Sequence, residues 1–241
     1  MSATLYIIGV GPGDPDLLTR KAFILLNQCP VIATPNGSKN GTSTALSIVD
    51  KAMDISKKEI HQLHFPMQKI HGDSEPPEEV QKAWLSAAKQ VIALLAEGKD
   101  VAFPTLGDPA IYSTGYYLYE TILSLQKETK VVFVPGIAAM SSCSAATAVP
   151  ICLGDDKLAV IPATFSMDDI RDTLEKFDTI VLMKVHKVLD RLIPLFDELN
   201  LLDKAILVER AGMESECIHT KLDEIKGQVH YFSTILIRKR L

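Results

Sequence analysis

Short apolar-rich runs separated by helix-period stripes dominate the first 150 residues of this chain. The runs fall at 4–10, 30–34, 58–65, 100–106 and 130–134. Asp14 is placed to cap a helix after the first run, with Pro15 at its first position, and Leu17, Leu18, Ala22, Leu25 and Leu26 carry that helix's stripe. A second helix is expected over 43–53. A third is marked by Val80, Trp84, Ala87, Val91, Leu94 and Leu95, with Gly98 just past its end. Strands that are apolar along their length, and are parted by helices, belong to a parallel sheet covered on both faces. After residue 150 the pattern changes. Strands are expected at 157–162, 179–183, 204–209, 216–220 and 233–238, with helices near 167–176 and 186–199. The last three strands lie too close together for parallel crossovers, which take about a dozen residues or more. The expected fold is therefore α/β with two α/β domains. Residues 1–150 hold a mostly parallel five-stranded sheet, and 151–241 hold a mixed, partly antiparallel one.

Charge and cysteine usage exclude several functions. A net charge of −5 without a basic stripe gives no footprint for nucleic acid, and "RKR" at 238–240 is too short to make one. Cys29, Cys143, Cys152 and Cys217 form no CxxC pair, which argues against zinc. Their scatter, behind an N-terminus that does not read as a signal peptide, points to reduced thiols in a cytoplasm. No apolar stretch is long enough to span a membrane. His61, His64 and His71 resemble a metal cluster on paper, but positions 61 and 64 fall on opposite faces of a strand. No protein-bound metal is expected.

Three turns carry the candidate chemistry. "GVGPGD" at 9–14 has Asp14 and Asp16 where a dinucleotide fingerprint needs glycine, and the ribose-binding acid about 20 residues on is missing. An acid beside a pyrophosphate would repel it, although Asp14 can also be read simply as a helix cap. "PTLGDPAIYSTG" at 104–115 pairs glycine with aspartate again and holds no basic residue. "VPGIAAMSSCSAA" at 134–146 makes a turn at Pro135-Gly136, followed by small residues that allow close approach to the backbone. All three follow expected parallel strands at their carboxyl ends, the edge where open α/β sheets bind ligands. Such an edge is a poor phosphate cradle. It suits a neutral or cationic ligand, of which S-adenosylmethionine is one.

"VGPGDPDLLTRKA" (10–22), "LGDPAIYST" (106–114) and "VPGIAAMSSCSAATAVPI" (134–151) resemble, in order and spacing, the signature segments of the tetrapyrrole (corrin and sirohaem) methyltransferases, and the likeness runs over essentially the whole chain. "LHFPMQK" (63–69), "IVLMKV" (180–185) and "VERAGMESE" (208–216) are similar to the subgroup that methylates C20 of precorrin-2 or cobalt-factor II. Methylation of another ring carbon, a diphthamide-forming reaction and a non-catalytic tetrapyrrole-binding module are the alternatives. One departure is Ala138-Ala139, where many members have threonine and serine.

The resemblance implies a homodimer whose cofactor, S-adenosylmethionine, lies in a cleft between the two domains. It implies cofactor contacts at Leu106, Gly107, Asp108, Ile111, Ala138, Ala139, Met183, Ala211 and Thr234. Asp14, Met67, Lys69, Tyr112 and Lys184 would face the tetrapyrrole. The substrate carries many carboxylates, and Arg20, Lys21, Lys39, Lys69 and Lys184 are available cations, each of which can also be read as a solvated surface charge. Met67 lines the substrate trough or anchors a loop. Tyr116 and Tyr119 belong to helix packing rather than to a stacking platform.

Overall fold

In the computed structural model, which describes residues 3–37, 43–66 and 75–240, the first apolar run forms β1 (Thr4–Gly9), covered on both faces. β2 (Val31–Asn36), β3 (Glu59–His64), β4 (Val101–Thr105) and β5 (Lys130–Val134) complete a sheet of order β3-β2-β4-β1-β5. Every pairing in it is parallel. Side chains alternate across the pleat. Leu5, Ile7, Val31, Ala33, Val101 and Phe103 reach one face, where α3 (Glu78–Ala96) and α4 (Gly115–Leu125) cover them. Ile8, Ile32 and Ala102 reach the other, beneath α1 (Arg20–Gln28) and α2 (Thr44–Ala52). The chain thus leaves β1 toward one face and β4 toward the other, although these strands are neighbours. That arrangement defines a topological switch point at their carboxyl ends.

The first helix starts later than expected. Asp14 caps only a three-residue 3₁₀ turn, Pro15–Leu17, by accepting a hydrogen bond from the Asp16 amide at 2.8 Å. Leu18 is extended, and the Thr19 hydroxyl caps α1 by accepting from the Ala22 amide at 3.2 Å. Two caps in succession break one periodic stripe into a turn and a helix.

In the second part, β6 (Leu158–Pro162), β7 (Thr179–Met183), β8 (Ala205–Glu209), β9 (Cys217–His219) and β10 (Ser233–Arg238) form a sheet of order β6-β7-β10-β8-β9. β6 and β7 are parallel, while β10 runs antiparallel to β7 and β8, as does β9 to β8. α6 (Met167–Lys176) and α7 (Leu189–Glu198) bury Ile170, Leu174, Leu192 and Phe196 against Ile180, Leu182, Leu207, Ile235 and Ile237. α5 (Ala139–Thr147) contributes Met140 to a cluster with Val181 and Leu236, and Cys143 to another with Val208 and Ala211. This packing places α5 with the second sheet. The chain divides into units Met1–Ala138 and Ala139–Leu241, ahead of the boundary expected at 150.

One ion pair is buried within the second unit. The Arg238 guanidinium meets Asp156 at 2.7 Å, with the two side chains 5% and 6% exposed. It also donates to the Pro150 carbonyl at 2.9 Å and the Arg240 carbonyl at 2.6 Å. β10 is thereby fastened to the loop that leads into β6.

Candidate functional site

At the switch point the first two turns are locked to each other by backbone hydrogen bonds, and the third packs closely against them. Gly11 donates to the Gly107 carbonyl at 3.2 Å and Gly107 donates back to the Gly11 carbonyl at 2.7 Å. Both glycines are in left-handed conformations, with φ of 77° and 72°. A side chain at Gly9 would lie 2.6 Å from the Gly136 nitrogen and 2.7 Å from the Gly107 carbonyl oxygen, so only glycine lets the β1, β4 and β5 turns close on one another.

Asp108 ties the second turn to the third. One carboxylate oxygen accepts from the Gly136 amide at 2.9 Å and the other from the Ala110 amide at 2.8 Å. Three amides that would have to point at a phosphate, those of Gly11, Gly107 and Gly136, are therefore consumed inside the fold. This is a stronger reason than the Asp14 carboxylate for the poor phosphate cradle expected from the sequence, because Asp14 itself is engaged in its cap.

The rest of the 104–115 turn is braced by hydroxyls. Thr105 and Ser113 share a hydrogen bond of 2.9 Å, and Ser113 accepts from the Gly115 amide at 3.0 Å, where α4 begins. These two hydroxyls were not among the sequence candidates, though the Ser-Thr pair before a helix start was a visible signal. Leu106 and Ile111 are half-buried. Tyr112 sits at the tip with a φ of 51° and is 50% exposed. Burial pushes its phenol above the ordinary value of 10.0, so near neutral pH it is a hydrogen-bond donor and no base. Tyr116 and Tyr119 pack on Phe133 of β5 at centroid distances of 4.5 Å and 5.3 Å, in keeping with a packing role, and Tyr117 stacks on Trp84 at 4.4 Å.

In the second unit, the carboxyl ends of β6, β7 and β8 and the start of β10 share one edge, because β10 runs antiparallel to its neighbours. Met183 pairs directly with Thr234, and Thr234 pairs on its other side with Val208, which packs with Ala211. Met183, Thr234 and Ala211 are thus brought to one edge. Lys184 follows in a left-handed conformation, φ 60°, and burial lowers its ammonium pKa below 10.5. The same edge carries His186 and Tyr231, whose rings meet at 5.0 Å, a pair that sequence reasoning did not single out. Burial first, then Lys187 and His230, hold the His186 imidazole below its ordinary pKa.

Some expected residues are separated or lie elsewhere. Ala138 closes the first unit and Ala139 opens the second. His61 and His64 both lie on β3, at odd spacing, and His61 bonds Glu59 at 2.8 Å. Met67, Lys69, Lys39 and His71 lie outside the described residues. Among the described residues, no helix is long and apolar enough to cross a membrane.

Residues 4–226 match the family model of the tetrapyrrole (corrin/porphyrin) methylases. The chain is 32% identical to a cobalt-precorrin-2 C(20)-methyltransferase of Salmonella typhimurium, over 100% of this chain and 98% of that protein. It is 30% identical to a precorrin-2 C(20)-methyltransferase of a Sinorhizobium species, over 95% of this chain and 93% of that one. Its fold is similar to the crystal structure of a uroporphyrin-III C-methyltransferase from Thermus thermophilus complexed with S-adenosylhomocysteine. That likeness has a TM-score of 0.67 and 19% identity, and covers 98% of this chain and 92% of the other.

Proposed function

Since the chain belongs to the tetrapyrrole (corrin/porphyrin) methylase family, we propose that it transfers a methyl group from S-adenosylmethionine to C20 of precorrin-2 or of its cobalt complex, in cobalamin biosynthesis. The observation that carries this reading is the full-length 32% identity to a protein named for that reaction. The geometry of the first unit is in keeping with it. An edge whose glycine amides are sealed, with half-buried Leu106 and Ile111 and no cation in 104–115, suits a cationic ligand without phosphate.

When bound, S-adenosylmethionine supplies an already activated methyl group on a sulfonium. The work left to this chain is to hold the carbon nucleophile in line with that methyl, which is a positioning effect. Within the first unit Leu106, Gly107, Asp108, Ile111 and Ala138 are the cofactor contacts we propose. Within the second they are Ala139, Met183, Ala211 and Thr234. Asp108 acts there chiefly by fixing the backbone of both turns, since its two oxygens already hold amides. Tyr112, as a neutral phenol, donates to the tetrapyrrole instead of taking its proton. Lys184 pairs with a substrate carboxylate, and Asp14, Met67 and Lys69 complete the substrate contacts. The chain works as a cytoplasmic homodimer and needs no resident metal for the transfer.

The test is to incubate the purified protein with S-adenosylmethionine labelled with ¹³C at the methyl, and with precorrin-2 or its cobalt complex in parallel. One labelled methyl at C20, located by NMR, is the expected result, and the faster of the two substrates is the natural one. Transfer to another ring carbon, or no transfer to either substrate, overturns the reading. Light scattering at increasing concentration checks the dimer.

A further inference from the structure

Glu209, Cys217 and His219 converge on one face of the β8–β9 ribbon at the edge of the second sheet. Their ligand atoms all lie within 4.8 Å of one another. The convergence follows from register. Cys217 lies directly opposite Glu209, and His219, two residues further along β9, lies opposite Leu207 and returns to the same face. Ile218 between them turns outward and is 40% exposed. Sequence reasoning looked for CxxC spacing and for clustered histidines. A Cys-x-His on a strand, with its carboxylate supplied by a neighbouring strand, matches neither pattern.

The carboxylate is already oriented. One Glu209 oxygen accepts from the His230 backbone amide, and the other lies 2.8 Å from His219 Nε2. The two side chains are 12% and 26% exposed, so the group is sheltered yet reachable. The turn joining the strands is braced, with the Gly212 amide donating to Glu216 at 2.7 Å and Arg210 Nε donating to the Ser215 carbonyl at 2.9 Å. The competing description is a plain Glu–His pair with an idle thiol. Against it stands the third donor. Ligand atoms in a tetrahedral zinc site stand about 3.3–3.6 Å apart, so closure here needs side-chain shifts on the order of only 1 Å.

We propose that Glu209, Cys217 and His219 form a binding site for one borderline divalent cation, zinc or cobalt(II). A thiolate, an imidazole and a carboxylate together suit these ions over magnesium or calcium. Three protein ligands leave the fourth position to water. On binding, the Cys217 thiol releases its proton to solvent, and His219 offers a ring-nitrogen lone pair. Bonds from sulfur, nitrogen and oxygen to the metal replace the Glu209–His219 hydrogen bond, with no change of oxidation state. The metal pins the three-residue strand β9 to β8. The proposal goes beyond the methyl transfer and stands or falls independently of it.

The experiment uses the untagged full chain, stripped with chelator and titrated with zinc by calorimetry and with cobalt(II) by absorption. The expected result is one equivalent of zinc, a thiolate-to-cobalt charge-transfer band, and loss of that band in C217S. Zinc affinity should fall at least tenfold in C217S and H219A and stay unchanged in C152S, whose thiol is exposed elsewhere. A cobalt spectrum of the unaltered protein without a thiolate band overturns the proposal whether or not any variant folds. So does zinc affinity that is equal in C217S and the parent, or that is lost in C152S.

Discussion

Asp108 was a cofactor contact by resemblance, and its surroundings make it first a structural residue. Both oxygens hold backbone amides, and one of these, from Gly136, is the tie between two turns. Asp108→Ala should destabilise the fold by about 1 kcal/mol, because the part-buried tie to Gly136 is lost while the exposed Ala110 amide can turn to water. Asp108→Asn keeps one accepting oxygen and should lose less. Thermal melting and S-adenosylmethionine titration of both variants separate the roles: affinity lost with the melting temperature intact would make the cofactor contact direct. Lys184 is a residue of another kind, a half-buried cation whose charge is disfavoured by its own burial. A substrate carboxylate relieves that cost. Lys184→Met should raise KM for the tetrapyrrole roughly tenfold, in line with a hydrogen bond to a charged group. It should leave KM for S-adenosylmethionine unchanged, which steady-state kinetics in each substrate will show.

The strands were the most legible elements, because a parallel strand buried on both faces reads as an uninterrupted apolar run. The runs at 100–106 and 130–134 became β4 and β5 almost residue for residue. Helix starts were less legible, since the stripe from Leu17 to Leu26 has one period but two caps. Periodicity does not see the extended backbone at Leu18 that separates them. If Thr19 is the true cap of α1, Thr19→Ala should cost about 1 kcal/mol in chemical denaturation followed by circular dichroism. Asp14→Ala, which loosens only a three-residue turn, should cost less. α5 was read with the turn that precedes it. Its assignment to the second sheet depends on Cys143 meeting Val208 and Ala211, residues more than sixty positions away. No local signal carries that information. The candidate site was legible as far as its glycines and aspartates, whose spacing is fixed by strand ends. His186 meets Tyr231 only through the pairing of β7 with the distant β10, and Glu209 meets Cys217 and His219 only through the register of β8 with β9.

Across the whole molecule, stability draws on both units. In the second, removing one partner of the Arg238–Asp156 pair strands a buried charge, so Asp156→Ala should cost about 3–5 kcal/mol. For a chain of this size that is a melting-temperature loss on the order of 10 °C, measurable by calorimetry. Each unit also holds a buried thiol. Burial raises Cys29 and Cys143 from 9.0 to about 12, with Asp100 adding to the rise at Cys29 and the Thr234 hydroxyl opposing it at Cys143. These folded-state values exceed the unfolded one. The contribution is therefore complete below about pH 9 and is lost as pH rises toward 12. The variant carrying both Cys29→Ala and Cys143→Ala should show a flatter alkaline limb than the parent in denaturant midpoints measured from pH 8 upward.

The order β3-β2-β4-β1-β5 has a consequence for biosynthesis. β1 leaves the ribosome before the other four strands of its sheet and is an inner strand of the finished sheet, yet its partners arrive late. Leu5 waits for Val101 on one side and Val131 on the other. Until about residue 105 has emerged, the nascent chain carries an apolar strand with two open edges, and until about residue 134 it still has one, a form prone to pairing with other chains. β2 and β3 can pair much sooner, with Val31 against Glu59. Vectorial synthesis therefore favours an early β2–β3 nucleus, and the close approach of Gly9, Gly107 and Gly136 is among the last features of the first unit to form.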